Sequence, residues 1–329
     1  MNRRRSHRPQ AARAEAGGDS GSSETRRSGT VVESYGRRVI VRADETAERL
    51  PCKVRGRKLE VVAGDRVVLE PESAHEGAWL VQDRLPRRNV LLRTDSRGMD
   101  ESIAANLDQL GVVVAPRPSC DPFIVDRYIA GAGYAGIAPL LILNKEDLLG
   151  GDYSDADFAF VEIYRRIGIP VEQVSAKKCT GFDRLIERLR GKRTLLAGQS
   201  GVGKSSLTNA LCGDAYRATS DLTAGSGEGR HTTVASAIVQ LPWGELADSP
   251  GVRDYAPPVV EPKSVQVGFV EIAERAAGCR FLDCLHVKEP QCAVQAAIVA
   301  GDIDPRRHES YQRLLNLNRQ LDEKRGWRS

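Results

Sequence analysis

Apolar and polar positions change rhythm three times along this chain. Residues 1–28 contain almost no large apolar side chains. From residue 29 to about 93, short alternating stretches are separated by turn signals. In TVVESYGRRVIVRA, Val32, Val39 and Val41 alternate with polar residues around Tyr35-Gly36, which predicts a hairpin. LPCKVRG, GDRVVLEP and GAWLVQDRLP continue the series, with turns at Gly64-Asp65 and Glu76-Gly77. About five short strands in this span predict a small closed β-barrel of the OB-fold type. Between about 101 and 258 the rhythm lengthens. Strand-length apolar runs (QLGVVVAP, APLLILN, PVEQVSA, RTLLAGQ, ASAIVQLP and GELADSP) alternate with amphipathic segments such as DPFIVDRYIAGAGYAG and DADFAFVEIYRRIG. That pattern predicts an α/β domain whose mostly parallel sheet is covered on both faces. From about 259 onward the pattern is helical, interrupted by a Cys/His cluster at 279–292. The expected division is a disordered basic tail (1–28), an OB-fold barrel (29–95), an α/β domain (96–258) and a mainly helical module (259–329).

Composition narrows the compartment. A chain of 329 residues is long enough for two or three domains, each with its own core. The absence of an apolar run near ~18 residues excludes a membrane-spanning helix. The charged N-terminus has no apolar stretch behind it, so it does not read as a secretory signal. Cys52, Cys120, Cys179, Cys212, Cys279, Cys284 and Cys292 form an odd, mostly scattered set, unlike a disulfide framework. They read as reduced thiols in a cytoplasmic protein.

The net charge of +4 is mild but uneven. Arg3, Arg4, Arg5, Arg8, Arg26 and Arg27 load the tail, which cannot bury enough surface to offset its ordering entropy. Arg37, Arg38, Arg42, Lys53, Arg55, Arg57, Lys58, Arg87, Arg88 and Arg93 stud the barrel. Such density suggests phosphate-backbone contact, because neutralised phosphates release counterions. The few aromatics among them, Tyr35 and Trp79, argue against base stacking.

The sharpest chemistry lies in the α/β span. GQSGVGKSS at 198–206 follows the strand RTLLAG and opens a helix, the context of a phosphate-binding loop. Gly198, Gly201 and Gly203 let the backbone N–H groups of Gln199, Ser200, Val202 and their neighbours turn inward, and the helix N-terminus adds its dipole. Lys204 would reach the β- and γ-phosphates; Ser205, beside Ser206, would ligate Mg²⁺. Asn144, Lys145 and Asp147 of NKED follow the buried strand PLLIL, where a base-binding loop belongs. An aspartate there accepts hydrogen bonds from guanine N1–H and its amine, which adenine does not offer. Ser175-Ala176-Lys177 fits an accessory base loop. Asp248 in ELADSPG would hold Mg²⁺ through water, and Gly251 would contact the γ-phosphate. SDLTAGSGEGRHTT, between these elements, has the position of a first switch, with Thr233 preferred over Thr232 as the second Mg²⁺ ligand.

Where many small GTPases carry a water-orienting Gln after the DxxG motif, this chain has Val252, followed by Arg253 and Asp254. Valine cannot hydrogen-bond water, so hydrolysis is expected to be slow until a large partner supplies or orders the missing group. Further on, Cys279, Cys284, His286 and Cys292 gather three thiols and one imidazole in a short stretch. That set fills a tetrahedral Zn²⁺ shell, which makes the site structural rather than catalytic. His7, His75 and His308 have no ligand companions in sequence.

In P-loop GTPases of ordinary order the phosphate loop comes first and the base motif last; here that order is inverted. With LPRRNVLLR, NKED, SAK, GQSGVGKSS, GRHTT, DSPGVRD and CRFLDCLHVKEPQCAV in succession, the chain resembles the ribosome small-subunit-dependent GTPase A family (RsgA, also YjeQ). The resemblance implies a circularly permuted P-loop GTPase with a zinc module. It implies GTP hydrolysis late in small ribosomal subunit assembly, stimulated by the ribosome, with rRNA and the subunit as partners and no DNA or membrane partner. A monomer is the default. GTP or GDP, Mg²⁺ and one structural Zn²⁺ are the expected cofactors. GRHTTV carries Val where many relatives have a third Thr, and EPQC replaces the more usual EPGC. An RNA-binding factor that holds guanine nucleotide without useful turnover is the alternative reading; an ATPase or kinase conflicts with NKED.

Overall fold

In the computed structural model the described residues are 26–72, 78–149, 159–213, 236–249 and 255–326. The turn expected at Glu76-Gly77, most of the tail, Thr232, Thr233 and Gly251–Asp254 lie outside them.

Five strands make the barrel: β1 (Arg27–Tyr35), β2 (Arg38–Ala43), β3 (Arg49–Val54), β4 (Arg66–Pro71) and β5 (Trp79–Arg84). Alternate residues of β2 to β4 are buried, as the two-residue rhythm requires. Val31, Val39, Val41, Leu50, Cys52, Val54, Val67, Leu69 and Val81 fill the interior. β1 pairs with β2, β2 with β3, β3 in parallel with β5, β5 with β4, and β4 with β1. This closed order is OB-like. Arg27 and Ser28, at the end of the expected tail, belong to β1, where they pair with Leu69 and Val68 to close the barrel.

Two short strands, β6 (Val90–Thr94) and β7 (Asp100–Ala105), form an antiparallel hairpin across residue 95. The sequence rhythm does not announce it. Five parallel strands follow: β8 (Gln109–Val114), β9 (Ala138–Leu143), β10 (Val171–Gln173), β11 (Arg193–Ala197) and β13 (Gly244–Asp248). β12 (Ser236–Leu241) runs antiparallel to β13. Every residue of β8 is buried, the signature of a parallel strand covered on both faces. Helices α1 (Pro122–Tyr134), α2 (Ala159–Arg166), α3 (Phe182–Leu189) and α4 (Lys204–Cys212) flank the sheet. Pro122 opens α1 and the Asp121 carboxylate accepts the Phe123 N–H at 2.9 Å, a capped start.

β12 also pairs with β1, Ala237 opposite Glu33 and Ser236 opposite Ser34. Barrel and α/β sheet therefore form one ladder, in the order β10-β9-β8-β11-β13-β12-β1-β2-β3-β5-β4 among the described residues. Side chains reinforce the seam: Arg42 of β2 donates to Gln240 at 2.7 Å and to Glu245, and Arg193 donates to Glu245 at 2.6 Å.

The C-terminal part contains a 3₁₀ helix (Pro262–Gly268), α5 (Val270–Ala276), α6 (Ala293–Ala300) and α7 (Pro305–Gly326). Phe269, Ile272, Val294, Tyr311, Leu314 and Leu315 build its core, and Ala130 of α1 joins them. A charge cluster locks this part onto α1. Arg307, only 1% exposed, donates to Asp126 of α1 at 2.5 Å and to both oxygens of Glu271 in α5 at 2.6 and 3.1 Å. Tyr164 of α2 donates its hydroxyl to Asp126 at 2.6 Å.

Candidate nucleotide site and metal centre

Five loops leave the carboxyl ends of the parallel strands on one side of the sheet, where ligands bind in open α/β folds. The loop after β11 is 198–203. A Cβ at Gly198 would collide with the Val113 carbonyl and one at Gly203 with the Asn144 amide, and both residues have positive φ, so only glycine fits. Lys204 opens α4 and folds its ammonium back over this loop, donating to the Gly198 and Gln199 carbonyls at 2.7 and 2.8 Å. Ser205 and Ser206 are exposed on the first turn.

The loop after β9 is tied to it directly. Asn144, 1% exposed, donates to the Val202 carbonyl at 3.0 Å and accepts the Ala176 N–H at 3.1 Å. One side chain thus links the phosphate loop, the base motif and the accessory loop. Lys145, in the left-handed region, sends its ammonium to the Gly201 carbonyl at 2.8 Å and the Arg117 carbonyl at 2.7 Å. Asp147 accepts the Ser175 hydroxyl at 2.5 Å, and that bond holds its carboxyl below the usual carboxylate range. Ser175 in turn accepts the Lys178 N–H, while Lys177 is exposed beside it. Lys145, Ser200, Gly201, Gly203, Lys204, Ser205, Ser206, Asp248 and Ser249 line one cavity of about 350 Å³.

Arg117, Pro118 and Ser249 were not singled out from sequence. Pro118 lies against Gly201, and the Arg117 carbonyl serves as an acceptor, a role that any residue type fills and no motif encodes.

Cys279, Cys284, His286 and Cys292 bring their ligand atoms within 4.8 Å of one another. The Cys279–Cys292 sulfur separation is 3.7 Å, and His286 Nδ1 lies 3.5 Å from each of those sulfurs. A tetrahedral ion held by thiolates at ~2.3 Å and imidazole at ~2.0 Å requires edges of about 3.7 and 3.5 Å. The residues present therefore fit such an ion. His286 Nε2 donates to Gln266 Oε1 at 2.7 Å, which leaves Nδ1 as the free lone pair facing the thiols. Burial holds this imidazole below its ordinary value and pushes the Cys284 thiol up to about 12, a proton that a bound metal would have to displace. Glu289 organises the loop, accepting the Leu285, Val287 and Lys288 N–H groups at 2.7–2.9 Å. Gln266 and Glu289 were also missed: Gln266 lies 20 residues from His286, and nothing local marks it. His308, without companions in sequence, lies within 2.8 Å of the His286 carbonyl through Nε2 and packs on Tyr311.

The RsgA GTPase family model matches residues 84–256, more than half of the chain. The chain belongs to the RsgA GTPase family. Its members include the small ribosomal subunit biogenesis GTPase RsgA of Pseudomonas putida, 38% identical over 303 residues, covering 91% of this chain and 87% of that one. The protein of the same description from Pseudomonas aeruginosa is 39% identical over 301 residues, with the same coverage. Among solved structures, YjeQ from Thermotoga maritima matches with a TM-score of 0.70 and 31% identity, over 89% of this chain and 99% of that one. YloQ, a circularly permuted GTPase, matches with a TM-score of 0.70 and 26% identity, over 94% and 98%. The chain is thus a circularly permuted GTPase whose family implies guanine nucleotide, with an OB-like barrel and a Cys₃His group that can hold a metal. No helix among the described residues is long and apolar enough to cross a membrane.

Proposed function

We propose that this chain is a partner-activated GTPase of small ribosomal subunit maturation in the cytoplasm. The observation that carries the reading is the convergence of Lys145, Lys204, Ser205 and Asp248 on one cavity, with Asp147, two residues beyond Lys145, held by the Ser175 hydroxyl. In this reading Asp147 selects guanine, Asn144 holds the loops together, and Lys145 packs along the base. Gly198–Ser206 hold the phosphates and Lys204 neutralises them. Mg²⁺ would be held by Ser205, by Thr233 and through water by Asp248, and would supply charge neutralisation on the transferred phosphoryl group. Gly251 would sense the γ-phosphate. Val252 in place of Gln offers no hydrogen bond to water at that position, so in this reading turnover depends on the partner. Cys279, Cys284, His286 and Cys292 would hold one structural Zn²⁺.

In this reading the tail and barrel meet RNA, and the C-terminal metal module contacts the partner. Charge accounting supports a narrower RNA face. Lys53 pairs with Glu72, Arg87 with buried Asp65, Arg88 with Asp108, and Arg93 with Glu101. Arg38, Arg57 and Lys58 are exposed and have no ion pair among the described residues. They share one end of the barrel, where Arg37 joins the β1–β2 turn to the end of β3 through the Val54 carbonyl at 2.7 Å.

The deciding experiment measures GTP turnover with and without purified small ribosomal subunits. Strong stimulation, abolished in Lys204→Ala, is expected. Equal turnover with and without subunits would overturn the reading.

A further inference from the structure

We infer that Tyr255 is a positioning residue for partner-stimulated hydrolysis, fixing where the chain leaving the nucleotide cavity is anchored. The inference rests on the reading of this chain as a partner-activated GTPase. Only five residues separate Tyr255 from Ser249, which lines that cavity. A connection this short bounds the separation of its two ends, so Tyr255 is tethered close to Ser249 at the cavity wall.

The anchor is built from three elements. Tyr255 is wholly buried, and its ring stacks on Tyr128 of α1 with centroids 5.1 Å apart and planes 14° apart. Helix α1 makes room for it at Gly131, where a Cβ would collide with the phenol. The Tyr255 hydroxyl crosses α1 and donates to the Leu92 carbonyl of β6 at 2.9 Å. The next two residues are fastened to the same strand: Thr94 N–H donates to the Ala256 carbonyl at 2.9 Å, and the Thr94 hydroxyl lies 3.2 Å from the Pro257 carbonyl. At the turn of the hairpin, Arg325 of α7 donates to the Gly98 carbonyl at 3.0 Å and pairs with Asp100 at 2.8 Å. The β6–β7 hairpin therefore joins the exit of the nucleotide cavity to the C-terminal helix.

The hydroxyl separates positioning from packing. Phenylalanine would keep the ring stack, the buried volume and the two Thr94 contacts, and would lose only the hydroxyl's bond to the Leu92 carbonyl. A partner that moves or braces the hairpin acts on Tyr255 through that bond, beside the two contacts at Thr94.

The test compares Tyr255→Phe with the unaltered full-length, metal-loaded protein, with Tyr134→Phe as control. Tyr134 also lies on α1 and donates its hydroxyl to a backbone carbonyl, that of Val265 at 3.1 Å, away from the hairpin. Subunit-stimulated kcat should fall about fivefold in Tyr255→Phe, the rate equivalent of one hydrogen bond. KM for GTP and turnover without subunits should stay within about twofold, and Tyr134→Phe should match the unaltered protein. An unchanged stimulated kcat in Tyr255→Phe, with the unaltered protein stimulated, would overturn this inference alone. So would a parallel loss of stimulated and unstimulated turnover, or an equal loss in Tyr134→Phe. If the unaltered protein is not stimulated at all, the inference falls together with the functional reading on which it rests.

Discussion

In the proposed reading, guanine selection depends on one carboxylate and the hydroxyl that serves it. Asp147 must be ionised to accept from guanine, and the Ser175 hydroxyl keeps it so below the usual carboxylate value of ~3.9. Affinity for GDP is therefore full above the Asp147 pKa and lost as pH falls through it. Ser175→Ala removes the largest lowering influence, so the acid limb of a fluorescent-GDP titration should move to higher pH. Asp147→Asn should shift preference from GTP toward xanthosine triphosphate in competition binding; unchanged GTP affinity would sink the guanine assignment. Gln291 offers a different lesson. It stands where a glycine is more usual and takes φ +58, a region unfavourable for side chains. Its amide oxygen accepts from Arg280 at 3.1 Å, a compensation glycine could not offer. Gln291→Gly should stabilise the metal loop by at most ~1 kcal/mol, read as a small rise in Tm.

At the scale of elements, legibility followed the range of the determining contacts. The barrel strands and the α/β alternation were readable because burial period is a local property. So were NKED, the phosphate loop and the Cys/His cluster, whose chemistry sits in contiguous residues. The β6–β7 hairpin was not readable, since VLLRT and DESIAA are short and their burial is set by partners such as Tyr255 and Arg325. The Arg307 cluster was equally hidden: a helical arginine is ordinarily a solvated one, and its partners lie 36 and 181 residues away. Arg307→Ala would leave Asp126 and Glu271 buried and uncompensated, at a cost of about 3–5 kcal/mol in denaturant unfolding. Arg307→Met together with neutral Asp126 and Glu271 replacements should cost much less. If the Cys/His group holds zinc as proposed, chelation by a strong zinc ligand should melt α5 and α6, seen as lost amide protection across 270–300, because the bound ion would supply folding energy to that loop.

For the whole molecule, the surface charge is less available than its count suggests, because most barrel cations are paired. Simultaneous Arg38→Ala, Arg57→Ala and Lys58→Ala replacement should lower the slope of log affinity for ribosomal RNA against log salt by up to about three, roughly one per phosphate contact. Lys53→Ala, paired with Glu72 at 3.1 Å, should change it little. Sequence order showed that the GTPase motifs are permuted, but not that the barrel is hydrogen-bonded into the same sheet. That registration joins residues about two hundred apart, a separation at which no local pattern carries information.

The pairing of β1 with β12 also sets where the chain can be divided. In most multidomain proteins a cut in a linker releases two finished bodies. Here a fragment lacking residues before 96 would leave β12 without its β1 partners at Ser236 and Ala237. An uncovered strand edge of that kind is a template for pairing with other chains. Fragments of this GTPase without the barrel should therefore self-associate through β12, and during synthesis the barrel, made first, stands ready to cover that edge when it emerges.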